Sequence, residues 1–190
     1  MCADPCSSVP RQASHGRWRA AGVTLIELMV TLAVLAIVLG IGIPSFVDFV
    51  KNSRLFTVSS EIQTVLGYAR SEAVTRRLPV SVCPSANGSA CGGGWQAGLL
   101  VFADVAGDGG VTGGQDEILK YAPFTNASLQ IAAAATTDFG GGNFIQFRPT
   151  GQAQNAGALR VCDDRTGNVG RLVSLSVTGR TETSRGAACS

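Results

Sequence analysis

Apolar residues run almost unbroken across residues 23–47, where Glu27 is the only ionisable side chain. At about 1.5 Å per residue a helix of that length covers about 37 Å, which exceeds the ~30 Å hydrocarbon core of a bilayer. The pattern therefore predicts a membrane-spanning helix. Downstream, Leu55, Val58, Ile62, Val65, Leu66, Ala69 and Ala73 recur at the spacing of one helical stripe. Arg54, Glu61, Arg70, Glu72 and Arg76 fall mostly off that stripe, Glu72 and Arg76 form an i,i+4 pair, and Pro79 closes the run. No firm stop separates residues 48 and 54, so the two stretches are expected to join into one long stem. Gly40, Gly42 and Pro44 are expected to weaken or kink it near the outer membrane face.

After Pro79 the pattern becomes short extended runs at 80–83, 99–102, 118–121, 144–147, 159–162 and 172–177, separated by glycine-rich connections. In the last run Val173, Leu175 and Val177 alternate with Ser174 and Ser176, which predicts one buried and one wet face, as in an antiparallel sheet. The expected fold is α+β: a long hydrophobic N-terminal helix packed on antiparallel β-sheet of a C-terminal domain. About 143 residues follow the apolar run, enough for a core of their own.

Charge sharpens this picture. The formal net charge is +2, but Arg11, Arg17 and Arg19 against Asp4 account for all of it; from residue 23 onward twelve basic residues meet twelve acidic ones. The downstream chain is neutral, so no general attraction to nucleic acid or acidic lipid is expected. Basic residues before the apolar run keep the N-terminus cytoplasmic and send the rest outward. A secretory signal is the first rival, yet the apolar run exceeds its usual ~7–15 residues and the sequence GIGIPSF offers a poor cleavage site. His15 is the only histidine, which removes histidine-based nucleophile and metal chemistry from everything after it.

A plain anchor does not account for Glu27. A carboxylate inside an apolar helix costs roughly 2.5–3.5 kcal/mol on insertion scales and calls for a partner. A cut between Gly22 and Val23 supplies one: the new α-amino group stands four residues before Glu27, one helical turn away on the same or a neighbouring subunit.

Gly22-Val23-Thr24-Leu25-Ile26-Glu27-Leu28, followed by the apolar helix, resembles the cleavage and assembly signal of type IV pilins and type II secretion pseudopilins. The resemblance implies that a prepilin peptidase cuts after Gly22 and methylates Val23, that Glu27 pairs with an N-terminal amine during assembly, and that the helix packs into a filament core. Val23 departs from the family, which more often has Phe or Met there. The chain also resembles the GspH/FimT branch of minor subunits through Ala69-Arg70-Ser71-Glu72-Ala73, Val82-Cys83-Pro84, Cys91, Trp95, Val101-Phe102-Ala103-Asp104, Glu117-Ile118-Leu119-Lys120 and Gly179-Arg180. On this basis residues 1–22 are expected to be a leader, 23–47 the membrane and filament-core helix, 48–79 the soluble half of the stem, and 80–190 a β-rich periplasmic domain. The implied role is a minor pilin-like subunit of a type IV pilus or secretion pseudopilus. Its implied partners are prepilin peptidase, other pilin or pseudopilin subunits and the inner membrane.

Cys83, Cys91, Cys162 and Cys189 then face an oxidising compartment, where disulfides persist. Four cysteines allow three pairings; Cys83 with Cys91 and Cys162 with Cys189 is favoured, the first closing a short loop and the second clipping the C-terminal tail. A zinc site is the rival, but no C-x-x-C pair is present. Asp104, Asp108, Asp116 and Glu117 resemble a calcium loop with Ala106 at a ligand position and the terminal acid out of register, so a solvated β-connection is expected. No G-x-x-x-x-G-K-[ST] phosphate loop occurs. No catalytic residue, cofactor or metal is assigned. Six arginines face three acids after residue 140, and some FimT-type members are linked to DNA uptake through a C-terminal G-R-x-R motif. Here Gly179-Arg180-Thr181-Glu182 keeps the first arginine and replaces the second with an acid. Arg171, Arg180 and Arg185 are thus candidate DNA contacts under an alternative reading, against scattered surface arginines.

Overall fold

The computed structural model describes residues 22–124 and 128–190; apart from Gly22, the expected leader, with Arg11, His15, Arg17 and Arg19, lies outside them. The chain divides into two compact units, one ending at Pro44 and one from Ser45 to Ser190. Helix α1 spans Leu25–Arg76 and is unbroken at Gly40, Gly42 and Pro44. Thr24 starts it: its Oγ1 accepts a hydrogen bond from the Glu27 N–H (3.3 Å), and its carbonyl accepts the first helical bond from Leu28 (3.2 Å). The helix stops where Arg77 takes a left-handed backbone (φ 57°) two residues before Pro79.

In the first unit every side chain from 23 to 43 is exposed. By length and composition α1 is apolar enough to cross a membrane, the one such helix among the described residues.

The second unit holds the rest of α1 and eight strands: β1 (Val80–Pro84), β2 (Gly98–Ala103), β3 (Glu117–Pro123), β4 (Gln130–Ala133), β5 (Ile145–Phe147), β6 (Gly157–Cys162), β7 (Gly167–Leu175) and β8 (Thr181–Cys189). They form two antiparallel sheets, ordered β3-β2-β1-β5 and β4-β6-β7-β8. The α1 stripe meets both in one core. Leu55, Ile62, Val65, Leu66, Ala69 and Ala73 are buried against Val80, Val82, Leu99, Val101, Ile145 and Phe147 of the first sheet and Ile131, Leu159, Val161, Val173 and Leu175 of the second. Val177 is not part of the buried face: it lies beyond β7 and is 56% exposed. The chain has already turned there, and the Val177 carbonyl accepts from Ala153 N–H (3.0 Å).

β1 and β2 are buried on both faces, which explains the unbroken apolar run at 99–102. Their second face carries a small core of Cys83, Leu100 and Phe102 with Cys91, Val111, Tyr121 and Phe144. The loop between β2 and β3 is held by Asp104, which is fully buried. Its carboxylate accepts four hydrogen bonds: from Ser81 Oγ (2.7 Å), Gln146 Nε2 (2.8 Å), Gly107 N–H (2.6 Å) and Gly109 N–H (2.9 Å). Ser81 and Gln146 are cross-strand partners on β1 and β5. Asp116 accepts from Val105 N–H (2.9 Å) and Thr112 N–H (2.7 Å). The solvated connection expected at Asp104 is corrected: the carboxylate is an internal hydrogen-bond hub, because two strands and their loop all present donors to it.

The Cys83–Cys91 and Cys162–Cys189 pairs are bridged, with Cα separations of 5.6 and 5.7 Å. The second ties the end of β8 to β6 across β7, closing 27 residues of sequence. A bridge of that kind contributes about 2–4 kcal/mol, chiefly by restricting the unfolded chain.

Candidate functional site

The proposed processing and assembly residues sit together at the start of α1. Gly22 and Val23 precede the helix and are exposed; Glu27 lies in its first turn. Thr24 and Glu27 stand at the N-cap and third helical positions, the T-x-x-E spacing of a capping box, of which the Thr24 half is made. A carboxylate there also faces the positive end of the helix dipole, which lowers the cost of its charge. The T-x-x-E spacing by itself carries the signal for this local role. Among the described residues Glu27 makes no ion pair.

Just after the apolar run, α1 is clamped to the loop between β6 and β7. Lys51 Nζ donates to Asp164 (2.8 Å). Arg165 binds Asp163 (2.7 Å), Asn52 Oδ1 (2.9 Å) and Asp48 (3.4 Å). Burial alone would raise the Asp163 pKa, but the hydrogen bonds and charge of Arg165 outweigh it and hold the carboxyl below its usual range. The Lys51 hydrogen bond lowers Asp164 likewise. A lowered carboxylate contributes stability that is complete above its ordinary pKa near 4 and is lost as pH falls through the lowered value. The thermal midpoint should therefore drop below about pH 4, and Arg165→Gln should make that acid-side drop shallower in a melting series across pH.

The three candidate DNA contacts divide. Arg171 on β7 and Arg185 on β8 are direct register partners. Arg180 sits in the hairpin before β8 and is paired with Glu182 (2.8 Å). The neighbouring Gly179 (φ 78°) is buried, Arg70 donates to its carbonyl (3.1 Å), and a Cβ there would collide with the Gly151 carbonyl. That glycine is structural. The Arg171 guanidinium lies 5.1 Å from the Phe56 ring centre, and its pKa is lowered by burial first and by Arg185 second. Phe49, Asn52 and Phe56 of α1 complete a groove of about 690 Å³ with Arg165, Arg171 and Arg185. Sequence reading missed these aromatics because they lie off the buried stripe, where an exposed phenylalanine carries no periodic signal. Among the described residues no group of histidine, cysteine or acid side chains has the arrangement of a metal site.

Comparison with known proteins places this geometry. The family model described as type II transport protein GspH matches residues 59–179, and that of the prokaryotic N-terminal methylation motif matches residues 19–43. Among solved structures the chain is similar to the Pseudomonas aeruginosa PAO1 type IV minor pilin FimU in space group P21. The identity is 22% over 72% of this chain and 92% of that one, with a TM-score of 0.53. A second crystal form of FimU, in space group P65, gives 21% identity, coverage of 67% and 90%, and a TM-score of 0.49. At such identity the first likeness speaks for the fold alone. No curated protein matches.

Proposed function

The chain belongs to the GspH family of type II transport proteins, and from that premise we propose that it is a minor pilin-like structural subunit processed for filament assembly. In this reading prepilin peptidase removes residues 1–22, and Val23 becomes the methylated N-terminus. Residues 23–47 hold the subunit in the inner membrane with its β-domain on the periplasmic side. The subunit then enters a type IV pilus or secretion pseudopilus beside other subunits. The observation that carries it is the methylation-motif match over 19–43, which falls on a helix start with Glu27 in its first turn and every apolar side chain from 28 to 43 exposed. Such a surface is stable only in lipid or against other helices. Glu27 has no ion-pair partner among the described residues, which leaves its carboxylate available to an N-terminal amine of its own or a neighbouring subunit.

The role is structural. Assembly needs no turnover: a buried carboxylate and a buried amine neutralise each other as the helix leaves lipid for a helical core. A DNA-binding role for Arg171, Arg180 and Arg185 has weaker support, because Glu182 offsets Arg180 and the three do not form one track. Processing is tested by mass spectrometry of the protein recovered from cells. The expected species begins at methylated Val23, and replacing Gly22 by a bulky residue should leave the leader attached as a heavier band. Recovery of the wild-type chain intact from Met1 would overturn the proposal.

A further inference from the structure

Two arginines directly opposite each other on neighbouring strands repel, which is destabilising unless a counter-charge is near. Arg171 and Arg185 are such a pair, and neither has an ion-pair partner among the described residues. The acids beside Arg165 at the edge of the groove are already used: Asp163 and Asp48 by Arg165, Asp164 by Lys51. Two uncompensated positive charges remain in one groove, backed by Phe56 and flanked by Phe49, which is 67% exposed.

Chain continuity locates that groove. Phe49 and Asn52 follow the end of the apolar run at residue 47 by two and five residues of the same helix, about 3 and 7 Å along its axis. The headgroup layer extends about 5–8 Å beyond the hydrocarbon on each side. Exposed phenylalanines bury at the boundary between headgroups and acyl chains, and arginines reach the headgroups by extending their stems along apolar surface. From residue 23 onward the chain is electrically balanced only with these two arginines counted, so the attraction is local to this end of the domain.

We propose that the Arg171–Arg185 groove binds the phosphate of an anionic phospholipid in the outer leaflet, docking the β-domain on the membrane while the subunit awaits assembly. This rests on the membrane-anchored reading given above. On entering a filament the groove gives up the lipid phosphate, so the same residues restrain the subunit before assembly and become free after it.

The test uses the whole chain reconstituted in nanodiscs of phosphatidylcholine alone or with phosphatidylglycerol, with amide hydrogen exchange read over β7 and β8. Two arginines at about 1 kcal/mol each near an anionic surface correspond to a factor of up to about 30. Exchange around residues 183–187 should slow by up to that factor in the phosphatidylglycerol discs only. The slowing should vanish in high salt and in R171Q/R185Q, whose melting point in detergent stays that of the parent. Equal exchange in both discs overturns the headgroup site and leaves the anchored reading intact, whereas a chain that does not co-elute with discs overturns both. Protection of the same residues by a short DNA duplex added to phosphatidylcholine discs, without protection by phosphatidylglycerol, also overturns it and assigns the groove to DNA.

Discussion

Replacing Asp104 by alanine should destabilise the β-domain by about 3–5 kcal/mol, a large share of the ~5–15 kcal/mol by which domains of this size are stable. The carboxylate is buried and accepts from Ser81, Gln146, Gly107 and Gly109. Alanine leaves those four donors without their acceptor, and a stranded buried donor costs about 1–3 kcal/mol. The effect should spread to the loop above. Gly109 (φ 75°) sits against the Phe144 ring, and its N–H is one of the four donors, so losing Asp104 releases the cover of the Phe102 cluster. Asp108, exposed and bonded locally to Gly110 (2.9 Å), is the control; Asp108→Ala should cost under about 0.5 kcal/mol. Urea denaturation of both variants settles the matter, and equal midpoints would mean that Asp104 is not the hub of this loop.

On the assembly reading, Glu27→Val should leave membrane insertion unchanged or improved, since it removes an intramembrane carboxylate worth roughly 2.5–3.5 kcal/mol. Incorporation into filaments should fall by at least about two orders of magnitude. The incoming N-terminal amine then has no counter-charge, and breaking a buried pair by removing one member costs about 3–5 kcal/mol. Glu27→Gln should behave in the same way, which separates charge from size. The measurement compares the membrane fraction with sheared filaments by immunoblot. Similar recovery of wild type and both variants would argue against the pairing.

The stem was the most legible element. A stripe of seven apolar residues from Leu55 to Ala73 is buried at six positions and half-buried at Val58, because helical periodicity is a property of the chain itself. Strands β1, β2, β3, β5 and β6 were readable within one or two residues from apolar runs bounded by glycine and proline. β4 and β8 were not. β8 reads T-E-T-S-R-G-A-A-C, with no alternation of apolar residues, and it is a strand because β7 offers it a ladder and Cys189 is tied to Cys162. The β7 pattern was legible but slipped: Val173 and Leu175 face the core, while Val177 lies in the turn.

The basic residues show the same division. Counting charge after residue 140 found an excess but not its arrangement. Only strand register sets Arg171 beside Arg185, and only the hairpin joins Arg180 to Glu182. Acid spacing suggested an open loop around Asp104, whereas donors from β1, β5 and the loop converge on it.

By itself the order of residues determined what depends on near neighbours: an apolar helix long enough to cross a bilayer, a carboxylate in its first turn, a glycine just before it and the stripe that meets the sheets. Tertiary structure alone decided which distant side chains share a dielectric environment, namely the buried Asp104 hub, the Arg165 clamp and the uncompensated arginine pair. Periodicity is written along one chain, but a charge is stabilised or stranded by whatever the fold carries to it from elsewhere.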